Sequence, residues 1–136
     1  MATIPATING VTVEFASTVN NDVEQVMIDG LNHCIKTAIA TGHSLNKIYI
    51  SSVYDSHTLP SRHMQKKAVD ISRINGTKMV IGYPQNGAVT AIVDAIQTEF
   101  ETFASRRENF GPHFKKKLGQ PHTISGHNDH IHLSVN

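Results

Sequence analysis

The sequence predicts an α+β fold: a single domain over residues 1–136, with an antiparallel β-sheet, two main helices packed on one face, and a functional cleft on the other. Three observations carry this prediction. Residues 18–41 and 87–107 repeat apolar side chains at helical spacing, while 47–54, 67–72 and 130–135 read as strands, rich in branched residues or alternating apolar with polar. Asn-Gly pairs at 9–10 and 75–76 supply the turn chemistry that joins antiparallel strands.

Taken in order, the turn at Asn9-Gly10 leads into a strand with Val11, Val13 and Phe15 on one face. Ser17 or Thr18 offers a cap for the first helix, Asp22 and Glu24 suit its positive end, and Gly42 closes it. Its stripe includes Val19, Val23, Val26, Met27, Cys34, Ile35 and Ala38. Cys34, the single cysteine, reads as a core residue, and His33 and His43 as solvated or capping. Residues 47–54 form the next strand and lead into a polar loop, 55–62. After the 67–72 strand, Asn75-Gly76 turns the chain, and Lys78 to Tyr83 reads as the returning strand, ended by Pro84. The second helix buries Ala88, Ile92, Ala95, Ile96, Phe100 and Phe103, with Arg106 and Arg107 at its negative end. Residues 109–126 are punctuated by glycine and proline and read as a long loop, one wall of the cleft, with Lys115 to Lys117 a solvated run or an attraction for an anionic polymer.

Composition narrows the classes. A chain of 136 residues is large enough for one core without staples, and one cysteine excludes an internal disulfide framework. A formal net charge of +1 argues against a nucleic-acid binder. No apolar run approaches the roughly 20 residues of a membrane span, and Met1 to Pro5 lacks the basic and apolar regions of a secretion signal, so a soluble protein made in the cytoplasm, without membrane insertion and monomeric, is expected.

The chemistry concentrates in the tail, Gly126-His127-Asn128-Asp129-His130-Ile131-His132-Leu133-Ser134-Val135, which holds three of the nine histidines. In a strand, side chains two apart share a face, so His130 and His132 point one way while Ile131, Leu133 and Val135 point into a core. Neutral imidazoles in that arrangement suit a divalent metal such as zinc. Partners are available upstream: His63, and Asp70 set between Val69 and Ile71, where an unpaired carboxylate is costly to bury.

These residues resemble a known family. Ser61-x-His63-x(6)-Asp70, with Ala68 two before the aspartate, followed by Asp129-x-x-His132, is similar to the LAS zinc metallopeptidases. That group includes M15-type D-Ala-D-Ala carboxypeptidases, phage L-Ala-D-Glu endolysins, murein endopeptidases and the hedgehog signalling domain. The resemblance implies a hedgehog/DD-peptidase-like fold with a Zn2+ ion held by His63, Asp70 and His132, and Asp129 as general base. It implies oxyanion-stabilising roles for His130 and His127, although His127 also reads simply as a loop histidine. In the family the strand before the first motif ends in a Ser-Gly-Tyr-Arg-Ser-like segment that meets substrate. Here Ser52-Val53-Tyr54-Asp55-Ser56 puts Asp55 in place of the arginine, so Tyr54, Asp55 and Ser61 are the substrate-side candidates.

The expected function is therefore a zinc peptidase that hydrolyses stem or cross-link peptides of bacterial peptidoglycan, acting as a phage endolysin or in wall remodelling. A non-catalytic zinc-binding recognition or assembly module on the same fold is the alternative, favoured by Asp55, and a processing peptidase for ordinary proteins is the third reading.

Overall fold

The computed structural model describes residues 2–53 and 66–136. Its strands are β1 (Ala2–Thr3), β2 (Thr7–Ile8), β3 (Val11–Phe15), β4 (Asp22–Val23), β5 (Lys47–Ser52), β6 (Ala68–Ile74), β7 (Thr77–Lys78), β8 (Arg106–Phe110), β9 (Lys115–Lys117), β10 (Gln120–Pro121) and β11 (Ile131–Val135). The helices are α1 (Gln25–Cys34), α2 (Met79–Gly82) and α3 (Gly87–Phe100). The main sheet runs β10-β9-β8-β11-β6-β5-β3-β2, with β7 on β6, and β1 pairs with β4 separately. The expected α+β class holds, but the sheet is mixed: β3 and β5 are parallel, because α1 crosses over between them, and the other pairs are antiparallel.

Alternation sorts the two faces. Ile131, Leu133 and Val135 of β11, Val69 and Ile71 of β6, and Ile48 and Ile50 of β5 join one buried cluster with Met27 and Leu31 of α1 and Val93, Ile96 and Phe100 of α3. Both longer helices thus cover one face, and the intervening residues of β6, β8 and β11 lie on the other. Cys34 is fully buried in that core, and burial pushes its thiol far above the ordinary range, so it is an inert packing residue. No helix among the described residues is long and apolar enough to cross a membrane.

Several elements differ from the sequence expectation. The first helix is confined to 25–34 rather than 18–41. Asn20 Oδ1 accepts the Asp22 backbone N–H at 3.0 Å and Ile4 N–H donates to the Asn21 carbonyl at 2.8 Å, so this stretch serves the β1–β4 pair. The second helix stops at Phe100, where Thr102 Oγ1 donates to the Glu99 carbonyl at 2.7 Å and the chain turns to enter β8. Residues 79–82 are a single helical turn rather than a strand, with Met79 buried and Val80 and Ile81 exposed.

The largest correction concerns 109–126. This supposed loop carries the end of β8 and all of β9 and β10: β8 pairs with both β11 and β9, and β9 turns into β10. Leu118 and Gly119, with φ of 52° and 78°, make the same kind of turn as Asn75-Gly76, with φ of 51° and 82°. Leucine is an unfavourable residue for a left-handed conformation, so Leu118-Gly119 lacks the Asn-Gly signature that marks a hairpin in sequence.

Candidate metal-binding face

Strand register assembles the site. His132 on β11 lies opposite Asp70 on β6 and, on its other side, opposite Phe110 on β8; Phe110 in turn lies opposite Lys115 on β9. The next row is Ala68, Ser134, Glu108 and Lys117. Two of the three ligands implied by the resemblance are therefore cross-strand neighbours. The third, His63, lies outside the described residues, as do Tyr54, Asp55 and Ser61.

His132 Nδ1 lies 2.9 Å from Asp70 Oδ1, and its Nε2 lies 3.0 Å from Glu108 Oε1. The three side chains are 10%, 13% and 18% exposed, so the imidazole is clamped at both nitrogens within the sheet face. Glu108 is itself held: Ser134 Oγ donates to Oε1 at 2.9 Å and accepts the Glu108 backbone N–H at 3.0 Å. Burial alone would lower the affinity of His132 for a proton, but the hydrogen bonds to Asp70 and Glu108 outweigh it and raise its pKa to about 9. Burial likewise disfavours the Glu108 carboxylate, yet His132 and Ser134 bring its pKa down to about 2.

A metal ion fits this donor set in part. Two zinc ligands at 2.0–2.1 Å in a tetrahedral shell sit about 3.3 Å apart, and the 2.9 Å between Nδ1 and Oδ1 is close to that. A carboxylate on the remote nitrogen of a ligating histidine fixes its ring and strengthens it as a donor, and Glu108 would stand in that relation to a metal-bound His132. Among the described residues no three His, Cys, Asp or Glu side chains form a complete metal-holding group.

Three more tail residues surround the pair. His130 Nδ1 lies 2.7 Å from Asp129 Oδ1, and His130 Nε2 lies 3.9 Å from Asp70 Oδ1, so Asp129 orients the ring and its far nitrogen faces the His132–Asp70 pair. Asp129 is 63% exposed, and the hydrogen bond from His130 holds its carboxyl below the usual range, against a smaller opposing effect of burial. His127 sits at φ 62°, an uncommon conformation for a side-chain-bearing residue, with its Nδ1 on the Ser125 carbonyl at 3.1 Å. Burial pushes its pKa down, and its ring centroid is 5.0 Å from that of His130 and 5.6 Å from that of His132.

The chain matches no family model, no curated protein and no solved structure. The site is accordingly argued from its own geometry. That geometry brings Asp70, Asp129, His130, His127 and His132 to one face, and it adds two residues that the sequence reading missed. Glu108 stands where a helix end was expected. Phe110 stacks between His132, at 5.6 Å, and His122, at 5.5 Å, and forms the floor beside the pair. The only available signal was the alternation Glu108-x-Phe110, which becomes readable once β8 is known to pair with β11.

Proposed function

We propose that this chain is a zinc-dependent peptidase that hydrolyses peptide bonds of bacterial peptidoglycan, of endolysin or wall-remodelling type. The observation that supports it is the imidazole–carboxylate pair of His132 and Asp70, backed by Glu108 and flanked by an oriented His130–Asp129 pair. Within this reading His132, Asp70 and His63 hold the metal. When bound, zinc supplies Lewis acidity that polarises the scissile carbonyl and acidifies water.

The chain's own residues do the remaining work. Asp129, an exposed carboxylate, takes a proton from the attacking water as its oxygen bonds to the carbonyl carbon, and passes it to the amine as the C–N bond breaks. His130, acting as the imidazolium, donates Nδ1–H to Asp129 and would donate Nε2–H to the developing oxyanion, in place of the arginine that Asp55 replaces. His127, neutral and packed against both rings, limits their movement and narrows the water around them.

The test is turnover of purified murein, read by mass spectrometry of released peptides. Asp129→Ala is expected to keep its zinc and lose about 10²–10⁴-fold in rate, and His130→Ala about 10²–10³-fold. Because the 2.7 Å contact makes the two a unit, the double variant is expected to lose little more than the worse single one. A zinc-loaded wild type inactive on every murein chemotype would move the reading to the recognition module, which Asp55 favours.

A further inference from the structure

The three consecutive lysines of β9 have separate surroundings. Lys116 Nζ lies 4.9 Å above the ring of Phe114. Lys117 lies opposite Glu108, and its charge helps to hold that carboxylate ionised. Lys115 lies opposite Phe110, in the row that continues to His132 and Asp70.

The Lys115 ammonium is held by two neutral oxygens. It donates to the Gly111 carbonyl at 3.2 Å and to Asn128 Oδ1 at 2.7 Å. An ammonium has three donors, so one remains. Among the described residues the lysine–carboxylate ion pair is Lys47 with Glu14, and Lys115 has none. Its position is fixed in advance. The Gly111 to Phe114 turn is anchored to α3 by Gln97, whose Oε1 accepts the His113 N–H at 3.1 Å and whose Nε2 donates to the Phe114 carbonyl at 2.9 Å. Asn128 lies between His127 and Asp129, so the same ammonium touches the segment that carries the proposed base.

We propose that Lys115 is the carboxylate anchor of the cleft: its ammonium receives a free carboxylate borne by the substrate peptide within about three residues of the bond to be cut. β9 is two interstrand spacings, about 10 Å, from β11, and an extended peptide covers that distance in about three residues. An ammonium with neutral partners and an unused donor lacks only an anion, and a charge-assisted hydrogen bond is the interaction it is placed to make. The proposal rests on the peptidase reading above.

The experiment compares an acidic murein stem peptide with the same peptide amidated at its free carboxylate, using the zinc-loaded full chain as wild type, Lys115→Met, Lys115→Arg and Lys116→Met. KM and kcat are measured alongside calorimetric binding. Wild type and Lys116→Met are expected to favour the acid over the amide by about 10–100-fold, chiefly in KM or Kd, the range of a hydrogen bond to a charged group. Lys115→Met should abolish that preference and Lys115→Arg should keep part of it. Equal handling of acid and amide by wild type overturns the anchor, as does a preference that survives Lys115→Met. A Lys115→Met variant that loses kcat equally on both peptides also overturns it, leaving Lys115 as a support for Asn128. Carboxylate-selective, Lys115-dependent binding without turnover keeps the anchor and ends the peptidase reading; neither selective binding nor turnover ends both.

Discussion

At the residue scale, the behaviour of the site depends on what Glu108 does to His132. With carboxylates at both nitrogens, the metal-free imidazole has its pKa raised to about 9, above the ordinary value of 6.5. Its charged contacts therefore support the fold fully below about pH 6.5, and that support is lost as pH rises through about 9. On the proposed zinc reading, affinity for the metal is expected to change in the opposite direction, because zinc would have to displace a proton from Nδ1 and that competition would fade only as pH approaches 9. An ordinary histidine, as the tail sequence alone suggests, would place that fall near pH 6. Replacing Glu108 by Gln removes one of the two carboxylates. Glu108→Gln is expected to weaken zinc binding by about 10–100-fold, as loss of an outer partner to a ligand does, and to move the pH profile to lower pH. Competition against a chromophoric chelator from pH 6 to 9 measures both. An unchanged affinity and profile would show that Glu108 has no hold on the ligand. Asp70 and His132 were legible in the sequence because an acid within an apolar run and histidines at period two are local anomalies. Glu108 was not, because it reaches His132 only through the pairing of β8 with β11, across 24 residues.

At the scale of elements, β8 and β9 are the informative case. Their sequences, Arg106 to Phe110 and Lys115 to Lys117, carry little apolar alternation, and their turns use Pro112 and Leu118. What fixes them is one buried amide. Gln97 on α3 donates to Asn109 Oδ1 at 3.1 Å, Asn109 Nδ2 returns a bond to the Gln97 carbonyl at 2.8 Å, and a Cβ at Gly111 would overlap the Gln97 side chain. A polar residue in the stripe of an amphipathic helix reads as a break in the pattern, so periodicity could not reveal that Gln97 is the anchor. By contrast, the strands at 47–52, 68–74 and 131–135 were readable within two or three residues, since burial there follows from side-chain type alone. Gln97→Leu keeps the volume and leaves Asn109 Oδ1, the Phe114 carbonyl and the His113 N–H without this partner. At roughly 1–3 kcal/mol for an unsatisfied buried group, a loss of about 2–4 kcal/mol is expected after partial relaxation. Denaturant unfolding should show a lower midpoint at unchanged slope. A loss under about 1 kcal/mol would mean that register, not Gln97, holds the hairpin.

At the scale of the whole molecule, the site ties together parts of the chain that folding must first bring near. Asp70 and His132 are 62 residues apart, and they sit on adjacent central strands that also carry the core residues Val69, Ile71, Ile131 and Leu133. A ligand that binds both side chains in the folded state and neither in the unfolded chain stabilises the entire sheet, whatever its catalytic use. At a free zinc concentration 100 times its Kd the gain is about 2.7 kcal/mol. For a domain of this size, each kcal/mol raises Tm by about 3–5 °C, so zinc is expected to raise it by about 10 °C and a chelator to reverse the shift. His132→Ala removes the donor on β11 and should show no zinc-dependent shift, although Asp70 remains. It also removes the cation between Asp70 and Glu108, so its metal-free Tm should fall below that of the metal-free wild type at pH 6, where His132 is protonated. Scanning calorimetry of both proteins, with zinc and with chelator, separates the two effects. An equal zinc shift in His132→Ala would place the metal elsewhere, and no shift in wild type at saturating zinc would remove it from this face.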